Sequence, residues 1–125
     1  MAEVNTSRLA TGIEAECAVA GLMMSWGWQI LERNVHVSHY ELDIIAREGR
    51  TLVIVEVRFR GKGSLTSGFG SLSMLKRQRV RWAGERLWHG RYRNDASLDR
   101  MRFDAASVHL DTTGQMVIEY AVAAF

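Results

Sequence analysis

Two short runs, Glu41-Leu42-Asp43-Ile44-Ile45-Ala46 and Thr51-Leu52-Val53-Ile54-Val55-Glu56-Val57-Arg58-Phe59, decide how this chain folds. The second is rich in β-branched residues and Glu48-Gly49-Arg50 supplies a turn between them, so the pair predicts a β-hairpin. Leu52 to Val55 is apolar at four successive positions. Successive strand side chains point to opposite faces, so such a run belongs to a strand covered on both sides. The rest of the chain must supply the covers. Residues 8–25 carry Ile13, Cys17, Ala20 and Met24 at helical spacing and predict an amphipathic helix ending near Gly27. Trp28, Ile30 and Leu31 lead into the first run through an irregular or extended stretch.

Beyond the hairpin, residues 61–70 hold four glycines with Ser64, Thr66 and Ser67, which reads as a flexible loop. A basic helix follows over about Ser71 to His89. Arg91 to Asp99 is polar and turn-like, and Met101–Leu110 and Met116–Ala123 predict two further strands around Thr113-Gly114. Helix, strands, helix, strands without an internal repeat is the order of an α/β sandwich. At 125 residues the chain fits one domain, 1–125, with residues 1–7 as a flexible N-terminus. An apolar share of 47% with 24% charged residues excludes a disordered or collagen-like chain. The apolar runs fall far short of the roughly 20 residues that span a bilayer, so no membrane crossing is expected. Glu3, Asn5 and Arg8 interrupt any secretory pattern, which makes cytoplasm the expected location. The lone Cys17 can close no intrachain disulfide and supplies no zinc cluster.

Charge is unevenly spread. Residues 1–57 balance to −4, residues 58–93 to +9 and residues 94–125 to −3. A basic middle beside acidic segments is the pattern of a cationic surface that meets phosphate next to a carboxylate cluster, although Lys76, Arg77, Arg79, Arg81 and Arg86 would also simply solvate a helix.

Glu56 is the oddest residue, since it continues a strand that is apolar on both faces. An ionised, unpaired carboxylate buried there costs several kcal/mol, on the order of measured burial penalties for single ions. Arg58, two residues on and on the same face, is one candidate partner. Asp43 lies in the neighbouring strand, and the hairpin can bring the two carboxylates together. At about 4 Å and an effective dielectric near 20 they would repel by roughly 4 kcal/mol. A divalent cation reverses that penalty, and oxygen ligands select Mg²⁺ or Mn²⁺ over zinc. Glu14 and Glu16 both flank the apolar arc of the first helix, and periodicity does not choose between them. Lys76 falls within the arc of Leu72, Val80, Ala83 and Leu87, so its amine either points toward the sheet or snorkels outward. His36 and His39 fall in a loop or strand and read as a solvated pair. No phosphate-binding glycine loop or nucleophile elbow is present. Trp26, Trp28, Trp82 and Trp88 could stack on bases, with core packing the expected use of at least two.

Glu41-Leu42-Asp43-Ile44-Ile45, Val55-Glu56-Val57-Arg58, Lys76, Arg102-Phe103-Asp104 and the Ala124-Phe125 ending together resemble the YraN-like family. That family is similar to archaeal Holliday junction resolvases and belongs to the PD-(D/E)xK restriction-endonuclease-like superfamily. The match runs from about Thr11 to Phe125. It implies a central mixed β-sheet flanked by α-helices and a metal-dependent nuclease site, with Glu16 as the helix acid, Asp43 as the motif aspartate, Glu56 as the second acid and Lys76 as a basic helix position. Two features depart from the pattern. Arg58 stands where the motif has lysine, and it stays protonated at any ordinary pH, so it does not act as a base. Tyr40-Glu41 and Ala15 also stand where glycine-containing positions are favoured.

The resemblance implies an Mg²⁺- or Mn²⁺-dependent DNA endonuclease, with branched DNA such as Holliday junctions as its substrate. Asp43, Glu56 and Glu16 would hold the metal, Arg58 and Lys76 would steady the phosphate, and Arg77, Arg79 and Arg81 would contact the DNA backbone. A binding module of the same fold that has lost catalysis, and a protein-interaction scaffold, are the alternatives. The sequence leaves monomer and homodimer open.

Overall fold

The computed structural model describes residues 8–60 and 73–125, and side chains from Gly12 onward. The expected N-terminal tail, the glycine-rich loop and the first two positions of the basic helix lie outside the described residues. The elements are α1 (Arg8–Ser25), β1 (Gln29–Val37), β2 (Tyr40–Glu48), β3 (Thr51–Arg60), α2 (Met74–Leu87), β4 (Arg100–Leu110) and β5 (Met116–Ala121). The strands form one sheet in the order β1-β2-β3-β4-β5. Every neighbouring pair is antiparallel except β3 and β4, which run parallel. A parallel pair needs a crossover, and α2 lies on it. This is the α/β architecture expected, a mixed sheet flanked by helices. Among the described residues no helix is long and apolar enough to cross a membrane.

β3 is the central strand and is covered on both faces. Val53 and Val55 pack with Ala15, Val19, Ala20 and Met23 of α1. Leu52 and Ile54 pack with Val80, Ala83 and Leu87 of α2 and with Phe103. All four β3 side chains are fully buried, each contributing about 2 kcal/mol of apolar burial. The run of apolar residues thus feeds two cores alternately.

Two expectations need correction. The arc of Ile13, Cys17, Ala20 and Met24 is not the buried face of α1, because Ile13 and Met24 are more than half exposed and Cys17 is exposed. The buried stripe is Ala15, Val19, Ala20 and Met23. Alanines at 15 and 20 let the helix backbone approach the sheet closely, and the bulkier Ile13 and Met24 are left at the margin. The stretch after Trp28 is also no irregular lead-in but the nine-residue strand β1. Its pattern is hard to read because it is an edge strand with Val35 alone buried, a register shift between Ile30 and Glu32, and positive φ at Asn34.

α2 begins at a serine cap, the Ser73 hydroxyl accepting from the Lys76 N–H at 3.1 Å. It ends at Leu87 and continues as one wide turn over Trp88–Tyr92. On the far side of the sheet, β4 carries a completely buried carboxylate, Asp104. Arg102 donates to both its oxygens at 2.9 Å, the Tyr120 hydroxyl to Oδ2 at 2.6 Å and the Ala123 N–H to Oδ1 at 2.8 Å. Four donors thus satisfy two oxygens. This network ties β4, β5 and the segment after β5 together.

α2 comes close to the sheet at Gly84. A Cβ added there would lie 2.5 Å from the Phe103 ring and 2.7 Å from Ile54 Cδ1, both in the buried core. Alanine in place of glycine stabilises a helix by about 1 kcal/mol. Overpacking a core costs about 1–3 kcal/mol. Gly84→Ala is therefore expected to lower the melting temperature by on the order of 5 °C, and an unchanged or raised value in a thermal melt would show that the helix can lift off the sheet without loss.

Candidate functional site

The ladder between β2 and β3 runs from Glu48↔Thr51 to Ile44↔Val55 and stops there. Leu42 and Ile44 pack into opposite cores, so the two-residue alternation of β2 slips at Asp43. The Asp43 side chain takes over the pairing role, accepting the Val57 N–H at Oδ2 over 2.8 Å. Asp43 thus sits beside Glu56, whose charge it feels.

Glu56 continues the face of Leu52 and Ile54, which points at α2, and it is 4% exposed. Lys76 Nζ lies 3.3 Å from its Oε2. The ion pair of Glu56 is therefore with Lys76 rather than with Arg58, and the Lys76 amine does turn toward the sheet. The second oxygen, Oε1, is buried with no hydrogen-bond partner among the described residues.

Burial, and next the charge of Glu56, push the Asp43 carboxyl from its ordinary 3.8 up to about 7. Burial also raises Glu56, against the opposing pull of Lys76. Glu16 is half-buried on α1, where it forms an ion pair with Arg33 at 3.8 Å. Burial raises its carboxyl as well, and the second cause is Asp43. Glu16 thus feels Asp43, whereas Glu14 is exposed to solvent. The three acids share an electrostatic environment in which each resists ionisation.

A concavity of about 190 Å³ opens onto this place, lined by Asp43 and Lys76 together with His39, Tyr40, Glu41 and Arg79. Sequence reasoning did not single out Glu41 as a site residue, although its charge raises both Asp43 and Glu16. Its position two residues before Asp43 in a strand was the available signal. Arg79 and Arg81 are exposed and Arg77 is half-buried, with its Nε lacking a partner among the described residues. Arg58 is half-buried near the end of β3, opposite Ser107. His36 and His39 are exposed, and His36 lies 3.4 Å from Glu41.

Among the described residues no three His, Cys, Asp or Glu side chains already converge as a metal cluster. The donor set nevertheless fits a hard divalent cation. It offers carboxylate oxygens, one buried and unpartnered, beside a second carboxyl that burial and the charge of Glu56 raise to about 7.

A carboxyl raised in the folded state holds a proton that the unfolded chain gives up. Its contribution to stability is full below about pH 4 and is lost as pH rises through about 7. Asp43→Asn is expected to flatten this loss and to raise the melting temperature near pH 8 by a few degrees, since asparagine still accepts the Val57 N–H. Asp104→Asn is expected to act in the opposite direction at every pH, by about 3 kcal/mol, because it breaks a satisfied buried pair. Thermal melts across pH 5 to 8 check both, and a lower melting temperature for Asp43→Asn near pH 8 would make Asp43 a structural carboxylate.

The profile of the Uncharacterised protein family UPF0102 matches residues 15–108, which include every residue of the carboxyl site. The chain is 43% identical over 119 residues to a UPF0102 protein of Sorangium cellulosum, covering 95% of this chain and 83% of that one. A UPF0102 protein of Anaeromyxobacter dehalogenans is 34% identical over 124 residues, at 94% and 85% coverage. One from Dechloromonas aromatica is 31% identical over 102 residues, at 82% and 85%. The family resemblance read from the sequence is thereby borne out, and the chain belongs to the UPF0102 family.

Proposed function

We propose that this protein is a metal-dependent phosphodiesterase that cleaves DNA, with Mg²⁺ or Mn²⁺ bound between Asp43 and Glu56. The single observation that supports the reading most is the unpartnered, buried Oε1 of Glu56 beside a carboxyl raised to about 7. A structural role would have satisfied that oxygen, as it does both oxygens of Asp104.

Asp43 and Glu56 would hold the cation through their oxygens, with Glu16 completing the shell or orienting water from α1. When bound, such an ion supplies charge neutralisation at the scissile phosphate and a more acidic water. Deprotonated Asp43 is the form that binds, so occupancy competes with its proton and strengthens as pH rises through about 7. Lys76 and Arg58 would fix the phosphate oxygens from opposite elements, α2 and β3. Arg79 lies on the Tyr40 side of α2 and Arg81 on the Phe103 side, so with Arg77 they would contact the DNA backbone from different sides of the helix, giving affinity without sequence preference. Arg58 supports a second reading, a binding module without cleavage, because its guanidinium cannot take a proton from water.

In single-turnover assays with Mg²⁺ or Mn²⁺ on linear, single-stranded, flap and four-way DNA, Asp43→Asn is expected to abolish cleavage while leaving binding largely intact. Retained cleavage would remove Asp43 from the site. Arg58→Lys is expected to keep or increase the rate, and Arg58→Ala to lower it by about 100-fold. Cleavage gained only by Arg58→Lys would establish the binding module instead. No cleavage by either, together with no rise in melting temperature on adding Mg²⁺, would end the catalytic reading.

Replacing Arg77, Arg79 and Arg81 together by alanine is expected to weaken binding to all DNA sequences alike. The log-log salt slope should become shallower by about 0.9 for each phosphate that is no longer neutralised. An unchanged slope would leave these arginines as a solvated face.

A further inference from the structure

Beside the inward stripe of Lys76, Val80, Ala83 and Leu87, α2 carries a second one. Leu75, Gln78, Arg79 and Trp82 follow at i, i+3, i+4 and i+7, which places them along one side of the helix. With Ser38 and His39 from the β1–β2 connection and Tyr40 at the start of β2 they line a groove of about 500 Å³. That volume lies within the range of sites for nucleotide-sized ligands. The Trp82 and Tyr40 rings meet edge to face with centroids 5.5 Å apart, and the Arg79 guanidinium lies 5.9 Å from the Tyr40 centroid. Trp82 is 42% exposed and Leu75 55% exposed, so the groove presents apolar and aromatic surface to water.

The groove is continuous with the carboxyl site, because His39, Tyr40 and Arg79 also line the concavity that holds Asp43 and Lys76. The other three tryptophans are placed differently. Trp28 and Trp88 pack partly buried against the two cores, and Trp26 joins Trp28 and Tyr120 in an aromatic cluster with ring centroids 5.1 Å away. Trp82 is the tryptophan that lines the cleft.

We infer that the Tyr40–Trp82 groove is a base-stacking subsite, which takes the unstacked base of a nucleotide whose phosphate lies at Lys76 in the adjoining concavity. The ligand must be anionic at one end and flat and π-faced at the other, with Arg79 between the two. An unpaired DNA nucleotide has both properties. A base inside a duplex is shielded by its neighbours and reaches such a groove only by extrusion. An acidic peptide would satisfy Arg79 over the Tyr40 ring and Arg86, 5.0 Å from the Trp82 centroid, but would leave the exposed aromatic surface of Trp82 unused. The substrate class is therefore nucleic acid with unpaired nucleotides, which under the proposed function is DNA. The inference rests on the phosphodiesterase reading for the role of the phosphate, and its test needs no cleavage.

Fluorescence anisotropy in EDTA compares a labelled oligothymidine strand with a duplex of equal length. Trp82→Leu is expected to weaken single-strand binding by about 10-fold, the effect of removing one stacking ring, with duplex binding little changed and Trp82→Phe retaining most of the affinity. Leu75→Ser, at an exposed position, provides a second variant and should weaken single-strand binding selectively but less. The subsite is overturned if Trp82→Leu leaves single-strand affinity unchanged or lowers strand and duplex affinity by the same factor. It is also overturned if a polyglutamate peptide binds with the same Trp82 dependence. Because the readout is free of metal, selective weakening by Trp82→Leu in a protein that cuts nothing would keep the groove and remove the phosphodiesterase. Cleavage without Trp82 dependence would do the reverse.

Discussion

From Thr51 to Glu56 strand β3 has no face in water, so a carboxylate at its sixth position must be compensated from within the protein. This constraint shapes everything near it. The α2 face of the strand brings Lys76 to one oxygen of Glu56. The slip in β2 brings the Asp43 carboxyl to the other strand's backbone and to Glu56 itself. The outcome is incomplete compensation, one cation beside two buried carboxyls, and burial with the charge of Glu56 raises Asp43 to about 7. Stability is given up at a place where a hydrophobic residue would have continued the core of Leu52 and Ile54.

Asp104 shows what complete compensation looks like in the same sheet. It is more deeply buried than Glu56, yet every acceptor direction is used by Arg102, Tyr120 or the Ala123 N–H. Arg102 also reaches Glu48 at 2.7 Å and lies over the Trp28 ring. Asp104 joins elements, whereas Glu56 joins α2 to the sheet through Lys76 only and leaves an oxygen open to another ligand. Both carboxylates are buried, and it is their partners that separate a structural group from one that can bind.

Much of this was legible in the sequence. The unbroken apolar run of β3 required two covering layers, and the Glu48-Gly49-Arg50 turn placed Asp43 opposite the Glu56 region. Glu56 stood out because no apolar strand tolerates a carboxylate without reason. What escaped was decided by tertiary geometry. The buried face of α1 depends on close approach by Ala15 and Ala20, which a helical wheel ranks below Ile13 and Met24. β1 is an edge strand with too little buried surface to show a period. The slip at Asp43 leaves no mark in composition, and neither Arg58 nor Lys76 could be chosen as partner to Glu56 before α2 was positioned. Glu41 stands in the same motif as Asp43, but its electrostatic effect on that carboxyl emerges only once the strand is in place.

In the proposed function, Asp43 gives up its proton when it and Glu56 take up a divalent cation. Isothermal titration of Mn²⁺ into the protein, at about pH 6 and about pH 8 in buffers of different ionisation enthalpy, measures affinity and protons released together. Binding is predicted to tighten at the higher pH, with release approaching one proton at the lower, and both are predicted to vanish with Glu56→Gln. Binding that is absent in wild type, or present with the same affinity at both pH values and no proton release, would contradict this exchange.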